Sequence, residues 1–299
     1  MRRLKLDGVL LLDKPVGPSS SAALQAVKRL LGAEKAGHAG TLDPLASGLL
    51  PLLFGEATKF AQFGLDAAKE YVAEVRLGSA TDTGDAEGAV LERRAVDVDD
   101  VQLAQALERF RGAIAQVPPM YSALKQGGRP LYALARAGQT VERAAREVTV
   151  HELELVSRNG ELLRLRIRCS KGTYVRQLAA DLGLALGTVA HLAALRRTAV
   201  ADLRLDQAIA LDALQALSEA ERQSRLLPPD RLLEHLPRIE LDTERAECFL
   251  NGQAVTLVAP GLGPCRVYKA AGGNAGSLLG VGESGAGGLL RPARLIARG

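Results

Sequence analysis

Twelve residues near the start of the chain, Gly37-His38-Ala39-Gly40-Thr41-Leu42-Asp43-Pro44-Leu45-Ala46-Ser47-Gly48, constrain the fold more than any other stretch. Three glycines, a histidine and a carboxylate stand together between helical and apolar sequence. The segment is too irregular for a helix and too rich in glycine for a strand, so it reads as a loop. Gly37, Gly40 and Gly48 allow positive φ or a close backbone approach. Pro44 steers Asp43 away from helical geometry and stiffens the turn. A loop shaped to hold one carboxylate, or a plain Asp-Pro turn start, are the two readings these residues allow.

Around that loop, the 299 residues suffice for one large domain or two. Composition is that of an ordinary soluble globular protein, and no apolar run reaches the length of a membrane span. The run Val9 to Leu12, bracketed by Asp7 and Asp13, reads as a strand rather than a signal peptide. Cys169, Cys248 and Cys265 are far apart and the four histidines are scattered, which argues against a disulfide framework, a zinc site or any metal cluster. Cytoplasm is the expected compartment. The formal charge of +4 is modest, but its distribution is uneven. Lys125, Arg129, Arg136, Arg143 and Arg146 face Glu142 alone, and Arg164 to Arg176 holds five cations and no acid. Clustered basic charge is the footprint of a polyanion such as nucleic acid, or else a solvated face.

Periodicity predicts a strand over Leu6 to Leu12 and a helix over Ser19 to Leu31, capped by Ser19 or Ser20. A short buried strand is expected from Leu49 to Phe54 and another from Tyr71 to Leu77, followed by a polar, acidic turn over Gly78 to Gly88. Val101 to Phe110 reads as an amphipathic helix. Val148 to Val156 and Leu162 to Cys169 read as a hairpin about Asn159-Gly160. Thr173 to Leu186 reads as a helix with Tyr174, Leu178 and Leu182 one turn apart. This order implies an α+β fold with a mixed or antiparallel sheet. Ala208 to Leu236 looks like a helical, charged connector. Beyond Pro237 the chain turns glycine-rich, with short apolar runs at Val255 to Val258 and Leu278 to Val281, as in a small β-rich module or a tail.

The glycine loop resembles the catalytic motif of the TruB family, the bacterial tRNA pseudouridine-55 synthases. Four further stretches resemble that family's motifs, in its order: Gly8 to Pro15, Tyr71 to Gly78 with Thr81 to Asp85, Pro118 to Lys125, and Cys169 to Arg176. The similarity runs from about Gly8 to the C-terminus, and no matched catalytic position has lost its residue type. The resemblance implies a pseudouridine synthase catalytic domain over 1–236, with an RNA-binding thumb over about 125–146. Over 237–299 it implies a PUA-like RNA-binding β-barrel, on Asn251-Gly252-Gln253 and Leu278 to Gly282. The implied reaction isomerises uridine 55 of the tRNA T loop. It breaks the N1–C1′ bond, turns the base and rejoins it through C5, with the nucleotide flipped out of the RNA. It is redox-neutral and needs no cofactor and no metal.

The same resemblance assigns Asp43 as the essential carboxylate, Arg176 as its partner, and Tyr71 as the residue that stacks on the base. Tyr174 and Leu195 would line the pocket, and His38 would help hold the extruded RNA. Lys14, Lys59, Lys125, Arg129, Arg136 and Arg143 would meet phosphates, with Gly127-Gly128 as the thumb's hinge. Arg164, Arg166 and Arg168 share one strand face that could meet RNA or water. The expected partner is tRNA, with no membrane and no obligate protein, and the expected state is a monomer. Two rivals stay open: a guide-RNA-dependent synthase subunit sharing these motifs, and an RNA chaperone that folds tRNA without chemistry.

Overall fold

In a computed structural model the chain is described over residues 3–122, 124–257, 261, 263–270 and 276–297. Its first part is a large mixed sheet. In chain order the strands are β1 (Gly8–Lys14), β2 (Ala36–His38), β3 (Ala46–Phe54), β4 (Lys69–Leu77), β5 (Ser79–Thr81), β6 (Val90–Arg93) and β7 (Gly112–Gln116). Next come β8 (Lys125–Gln126), β9 (Arg129–Pro130), β10 (Arg146–Asn159), β11 (Leu162–Cys169), β12 (Ala190–Val200), β13 (Leu203–Arg204) and β14 (Ile209–Ala210). The spatial order is β14-β1-β3-β12-β4-β11-β10-β7, with β2 on β3 and β13 on β12. The β1–β14 and β3–β12 pairs are parallel and the rest antiparallel. Small hairpins β5–β6 and β8–β9 stand apart from it.

The apolar run in β1 is continuous because both of its faces are covered. Leu10 and Leu12 face α1 (Ser20–Leu30), while Val9 and Leu11 pack with Ala57, Val200 and Leu232 on the other side. Ser19 caps α1, its hydroxyl accepting from the Ala22 amide at 3.2 Å. Besides the short α2 (Ala61–Asp66) and α4 (Leu131–Arg136), the first part carries α3 (Asp100–Arg109) and α5 (Val175–Ala185), which bury Leu103, Leu107, Leu178 and Leu182 against Val75, Leu165 and Leu192.

Three expectations are corrected. The glycine-rich stretch is only in part a loop: Gly37 and His38 lie in β2, and Ala46 to Gly48 open β3. Gly48 is tolerated in a strand because φ is +100° and a Cβ would sit 2.3 Å from the Arg197 carbonyl oxygen, so a side chain is what the neighbouring strand forbids. The acidic turn after Gly78 contains the strand β5. The stretch from Ala208 to Leu236 is no connector. It adds β14 to the sheet edge, bridges Leu227 to Val9, and buries Leu214, Leu232 and Leu233. Deletion of this strap would uncover β1.

The C-terminal part is a five-stranded sheet ordered β15 (Arg238–Leu241), β17 (Gly263–Lys269), β18 (Ser277–Ser284), β19 (Leu289–Leu295) and β16 (Val255–Thr256), closed by the helix Thr243–Leu250. Phe249, Val267, Leu279 and Leu290 form its core. It is the curled half-barrel of a PUA-like module. Val258, in the apolar run expected there, lies outside the described residues. Val281 of this sheet packs on Phe60, and Lys59 donates to the Leu295 carbonyl at 2.9 Å, so the module rests on the turn that follows β3.

Candidate active site

Asp43 lies on the segment between β2 and β3, which other parts of the chain hold at both ends. On its N-terminal side Arg197 donates to the carbonyls of Gly40 at 3.1 Å and Thr41 at 3.4 Å, and to Leu49 at 2.7 Å. Ser20, at the start of α1, accepts from the Leu42 amide at 2.7 Å and donates to the Leu42 carbonyl at 2.9 Å. On the C-terminal side the Gly17 amide donates to the Pro44 carbonyl at 2.9 Å. A short irregular segment so tied loses little further freedom when a ligand arrives, which is what placing a reactive group requires.

The Asp43 carboxylate keeps 44% of its side chain exposed, while its partner Arg176 is only 7% exposed. Their Nη2–Oδ2 distance is 3.0 Å. Three further groups fix Arg176 in turn. Nη1 donates to Thr83 O at 2.9 Å, Nη2 donates to Tyr121 O at 2.7 Å, and Nε lies 3.5 Å from Asp85 Oδ2. Asp85 is thus part of the site, although sequence reading placed it on a separate turn. Its carboxylate also accepts from Thr83 Oγ1 at 2.6 Å and the Glu87 amide at 3.1 Å. A buried carboxylate with this many donors is held in one place, whereas Asp43 is half-exposed.

Asp43 lines a cleft of about 790 Å³ whose lining also includes Tyr71, Tyr174, Arg176, Leu195 and Arg197. Tyr71, half-buried on β4, stands opposite Arg197 of β12, and Leu195 stands opposite Ala73 of β4 and Ala46 of β3. Burial pushes the Tyr71 hydroxyl pKa up, with the Arg197 charge opposing it. Tyr174 is the residue just before α5. Gln116, the buried last residue of β7, pins its peptide: the Tyr174 amide donates to Oε1 at 2.8 Å, and Nε2 donates to the Tyr174 carbonyl at 3.1 Å. Burial raises the Tyr174 hydroxyl pKa as well. The structure therefore brings Asp43, Tyr71, Tyr174, Arg176 and Leu195 into one cavity. His38 is not among the lining residues. It ends β2, half-buried, with Nδ1 lacking a partner among the described residues, and burial and then Arg197 lower its pKa.

The expected phosphate contacts divide. Lys14 is fully buried, its Nζ donating at 2.8 Å to the carbonyls of Pro15 and Pro18. Burial lowers its pKa to about 8, against the pull of Asp43. It braces the loop behind Asp43 and is shielded from any phosphate. Lys59 is occupied by Glu56 at 2.6 Å and by the Leu295 carbonyl. Lys125 and Arg129 are exposed on the β8–β9 hairpin, where Gly127 (φ +58°) and Gly128 (φ +81°) form the two-residue turn. Arg136 ends the helix Leu131–Arg136, and its side chain lies outside the described residues, as does Ala123. Arg143 carries Nε and Nη1 buried without partners among the described residues. On β11, Arg166 pairs with Glu154, Arg168 with Glu152 at 3.3 Å, and beyond it Lys171 with Asp66 at 2.9 Å, so most of that basic run is neutralised.

Arg197, Asp85, Ser20 and Gln116 were not legible as site residues. Arg197 stands two positions after Leu195 in a run of helix- and strand-compatible residues, and only its alternation with Leu195 on β12 could have drawn attention to it.

Residues 28–175 match the TruB family pseudouridylate synthase N-terminal domain, 176–234 the tRNA pseudouridylate synthase B C-terminal domain, and 237–296 the C-terminal domain of pseudouridine synthase II TruB. The chain is 54% identical over 292 residues to tRNA pseudouridine synthase B of Dechloromonas aromatica, covering 98% of this chain and 96% of that one. It is 56% identical over 300 residues to tRNA pseudouridine synthase B of Ralstonia nicotianae, covering 98% and 95%. Among solved structures, the fold is similar to a chain of a Cbf5-Nop10-Gar1 complex, with TM-score 0.72, 27% identity, and coverage of 97% of this chain and 85% of that one. Carrying relatives above half identity along nearly its whole length, the chain belongs to the TruB family of pseudouridylate synthases.

Proposed function

We propose that this enzyme converts uridine 55 in the T loop of tRNA to pseudouridine, with Asp43 as the acting carboxylate. The observation that carries this is the contrast at Arg176: one buried guanidinium holds two carboxylates that both line the cleft, but Asp85 is 5% exposed and Asp43 44%, so Asp43 is the one open to a ligand. The names of its relatives, tRNA pseudouridine synthase B, support tRNA as the substrate.

A uridine within folded RNA must leave its stack to reach Asp43. Tyr71 offers a ring face for the extruded base, Leu195 an apolar wall, and Tyr174 a second aromatic edge. Asp43, oriented by Arg176, acts on the nucleotide as its N1–C1′ bond breaks and C5 replaces N1. Attack at C1′, addition to C6 and removal of the 2′ proton to give a glycal all leave Asp43 as the acting group. Lys125 and Arg129, exposed on the hairpin above the cleft, join Arg143 as phosphate contacts, and the module beyond Pro237 extends the RNA surface.

A second reading is favoured by the similarity to the chain in a Cbf5-Nop10-Gar1 complex, which would make this a subunit working with protein and guide-RNA partners. One experiment separates the two. Purified protein alone is mixed in excess with unmodified tRNA, and the product is labelled with carbodiimide and read by primer extension. A stop assigned to position 55 is expected. Its absence with bare tRNA, or its appearance at another position, would overturn the proposal. Bound tRNA with no stop anywhere would leave only an RNA-folding role.

A further inference from the structure

Residues 117–145, which carry the exposed Lys125 and Arg129, leave the sheet and re-enter it at one place, because Gln116 ends β7, Arg146 opens β10, and the two are register partners. The Gln116 side chain, 2% exposed, turns from that root toward α5. Its Oε1 accepts from the Tyr174 amide at 2.8 Å, and its Nε2 donates to the Tyr174 carbonyl at 3.1 Å. One side chain thus holds both backbone polar groups of a residue 58 positions away.

That residue is where α5 begins. A helix start leaves backbone N–H groups without acceptors inside the helix, and the Tyr174 side chain supplies no cap. Gln116 satisfies the Tyr174 amide, and the Tyr174 carbonyl keeps its second lone pair for the Leu178 amide at 3.0 Å, which closes the first turn. Arg176 stands in that turn. Its Nη2 donates to the Tyr121 carbonyl at 2.7 Å and lies 3.0 Å from Asp43 Oδ2. Pro118 and Pro119 stiffen the run between Gln116 and Tyr121. The start of α5 and the root of the 117–145 segment are therefore fastened at two points, one at Tyr174 and one at Arg176, and both of these residues line the cleft.

We infer that Gln116 is a positioning residue for the reaction, setting the place of the first residues of α5 so that Tyr174 meets the base and Arg176 meets Asp43 in one geometry. This rests on the functional reading above. The amide is matched to the task. A backbone N–H needs an oxygen and a backbone C=O needs an N–H, and a primary amide offers one of each. An ionised carboxyl offers only acceptors and would set an oxygen against the Tyr174 carbonyl. A protonated carboxyl again offers one of each. Misplacing a group by about 1 Å through a residue remote from the chemistry can cost about 10² in rate, which is the effect Gln116 guards against.

The test compares Gln116→Met and Gln116→Glu with the unaltered enzyme in single-turnover pseudouridine formation at saturating enzyme, with tRNA affinity and the thermal midpoint measured at each pH. Gln116→Met keeps the length and removes both hydrogen bonds, so the rate should fall by roughly 10–10² while affinity holds. Full rate at saturation, or a loss confined to affinity, would overturn the inference and leave Gln116 a support of the 117–145 segment alone. Gln116→Glu gives a signature that a mere brace does not. Burial beside a carbonyl raises the pKa of the introduced carboxyl above the ordinary carboxylate range. As pH falls from about 8.5 to about 6, its rate relative to the unaltered enzyme should therefore climb, because the carboxyl gains the proton that lets it donate. A ratio that stays flat over that range, or that changes only where the thermal midpoint crosses the assay temperature, would overturn the inference. This arm decides the matter if Gln116→Met does not fold. Absence of pseudouridine with the unaltered enzyme would instead overturn the functional reading.

Discussion

Two groups of arginines within one stretch of sequence behave in opposite ways. Arg166 and Arg168 stand on the outer face of β11 with side chains 48% and 51% exposed, each beside a glutamate of β10. Arg176, eight residues after Arg168, is buried between Asp43 and Asp85 and also donates to two carbonyls. Water and salt screen the first pairs, which therefore contribute little to stability. Breaking a buried, hydrogen-bonded pair costs about 3–5 kcal/mol, because a charge is left without compensation. Counting charge along the chain treats the two groups alike. The fold separates them by which strand face or helix end each one occupies.

The largest effect should come from the exposed partner of the buried group. Asp43→Asn keeps size and an acceptor for Arg176 but removes the carboxylate, so folding and RNA binding should survive. Single-turnover pseudouridine formation should fall on the order of 10⁴ or more, as for other residues that act on the reacting atoms. Retained activity would mean that Asp85 or another carboxylate can substitute, and the division between a structural and an acting carboxylate would fail. Next comes Arg176 itself. A lysine cannot meet two carboxylates and two carbonyls from one ammonium. Arg176→Lys should lower both turnover and the thermal midpoint, and Arg176→Ala should lower stability by about 3–5 kcal/mol because Asp85 stays buried. A variant that lost turnover at unchanged stability would show that the Asp85 contact carries no structural weight.

Much of the scaffold was legible because its signals are local. The Ser19 cap, the period of α1, the alternation of β11 and the Gly160 turn of the β10–β11 hairpin all follow from short-range rules. The grouping of Asp43 with Tyr71, Tyr174, Arg176 and Leu195 came from family motifs, and no spacing could have supplied it, since those residues come from the β2–β3 segment, β4, α5 and β12. What stayed hidden depends on contacts across the sheet. Lys14 reads as a surface cation until β1 is seen covered on both faces. Gly48 reads as a loop residue until β12 is seen pressing against it. Arg197 is a strand residue like its neighbour Arg196, which reaches Asp13 at the surface while Arg197 turns inward.

A smaller effect tests the buried lysines against the exposed arginines through pH. Burial holds Lys14 at about 8 in the folded protein, below the ordinary 10.5. Between those values the unfolded chain binds more protons than the folded one, so this group makes stability rise with pH. Below about 8 both states are protonated and the full cost of burying the ammonium is present. Cys169 and Cys265, raised to about 11, act in the opposite direction over an overlapping range, so the informative quantity is a difference. Lys14→Met should gain on the unaltered protein most below pH 8, and that relative gain should shrink steadily toward pH 10.5. Urea midpoints at a series of pH values measure it. A difference that does not vary with pH would mean that Lys14 is solvated after all.

The smallest effect belongs to the β11 face. Arg166→Gln with Arg168→Gln removes two screened ion pairs and leaves Glu152 and Glu154 free to hydrate, so the thermal midpoint should barely move. If that face only meets water, RNA affinity and its salt dependence should also stay put, because no counterion release depended on those side chains. Lys125→Glu with Arg129→Glu on the hairpin is the contrasting pair. Each lost phosphate contact should reduce the slope of log affinity against log salt by about 0.7–0.9. Measured by titrating labelled tRNA at several salt concentrations, the hairpin pair should flatten the slope and the strand pair should not. The opposite result would place RNA across the open face of the sheet rather than beneath the hairpin. The glutamates of β10 would then have to give up their arginines on binding, which makes the strand pair's neutrality the sharper of the two outcomes.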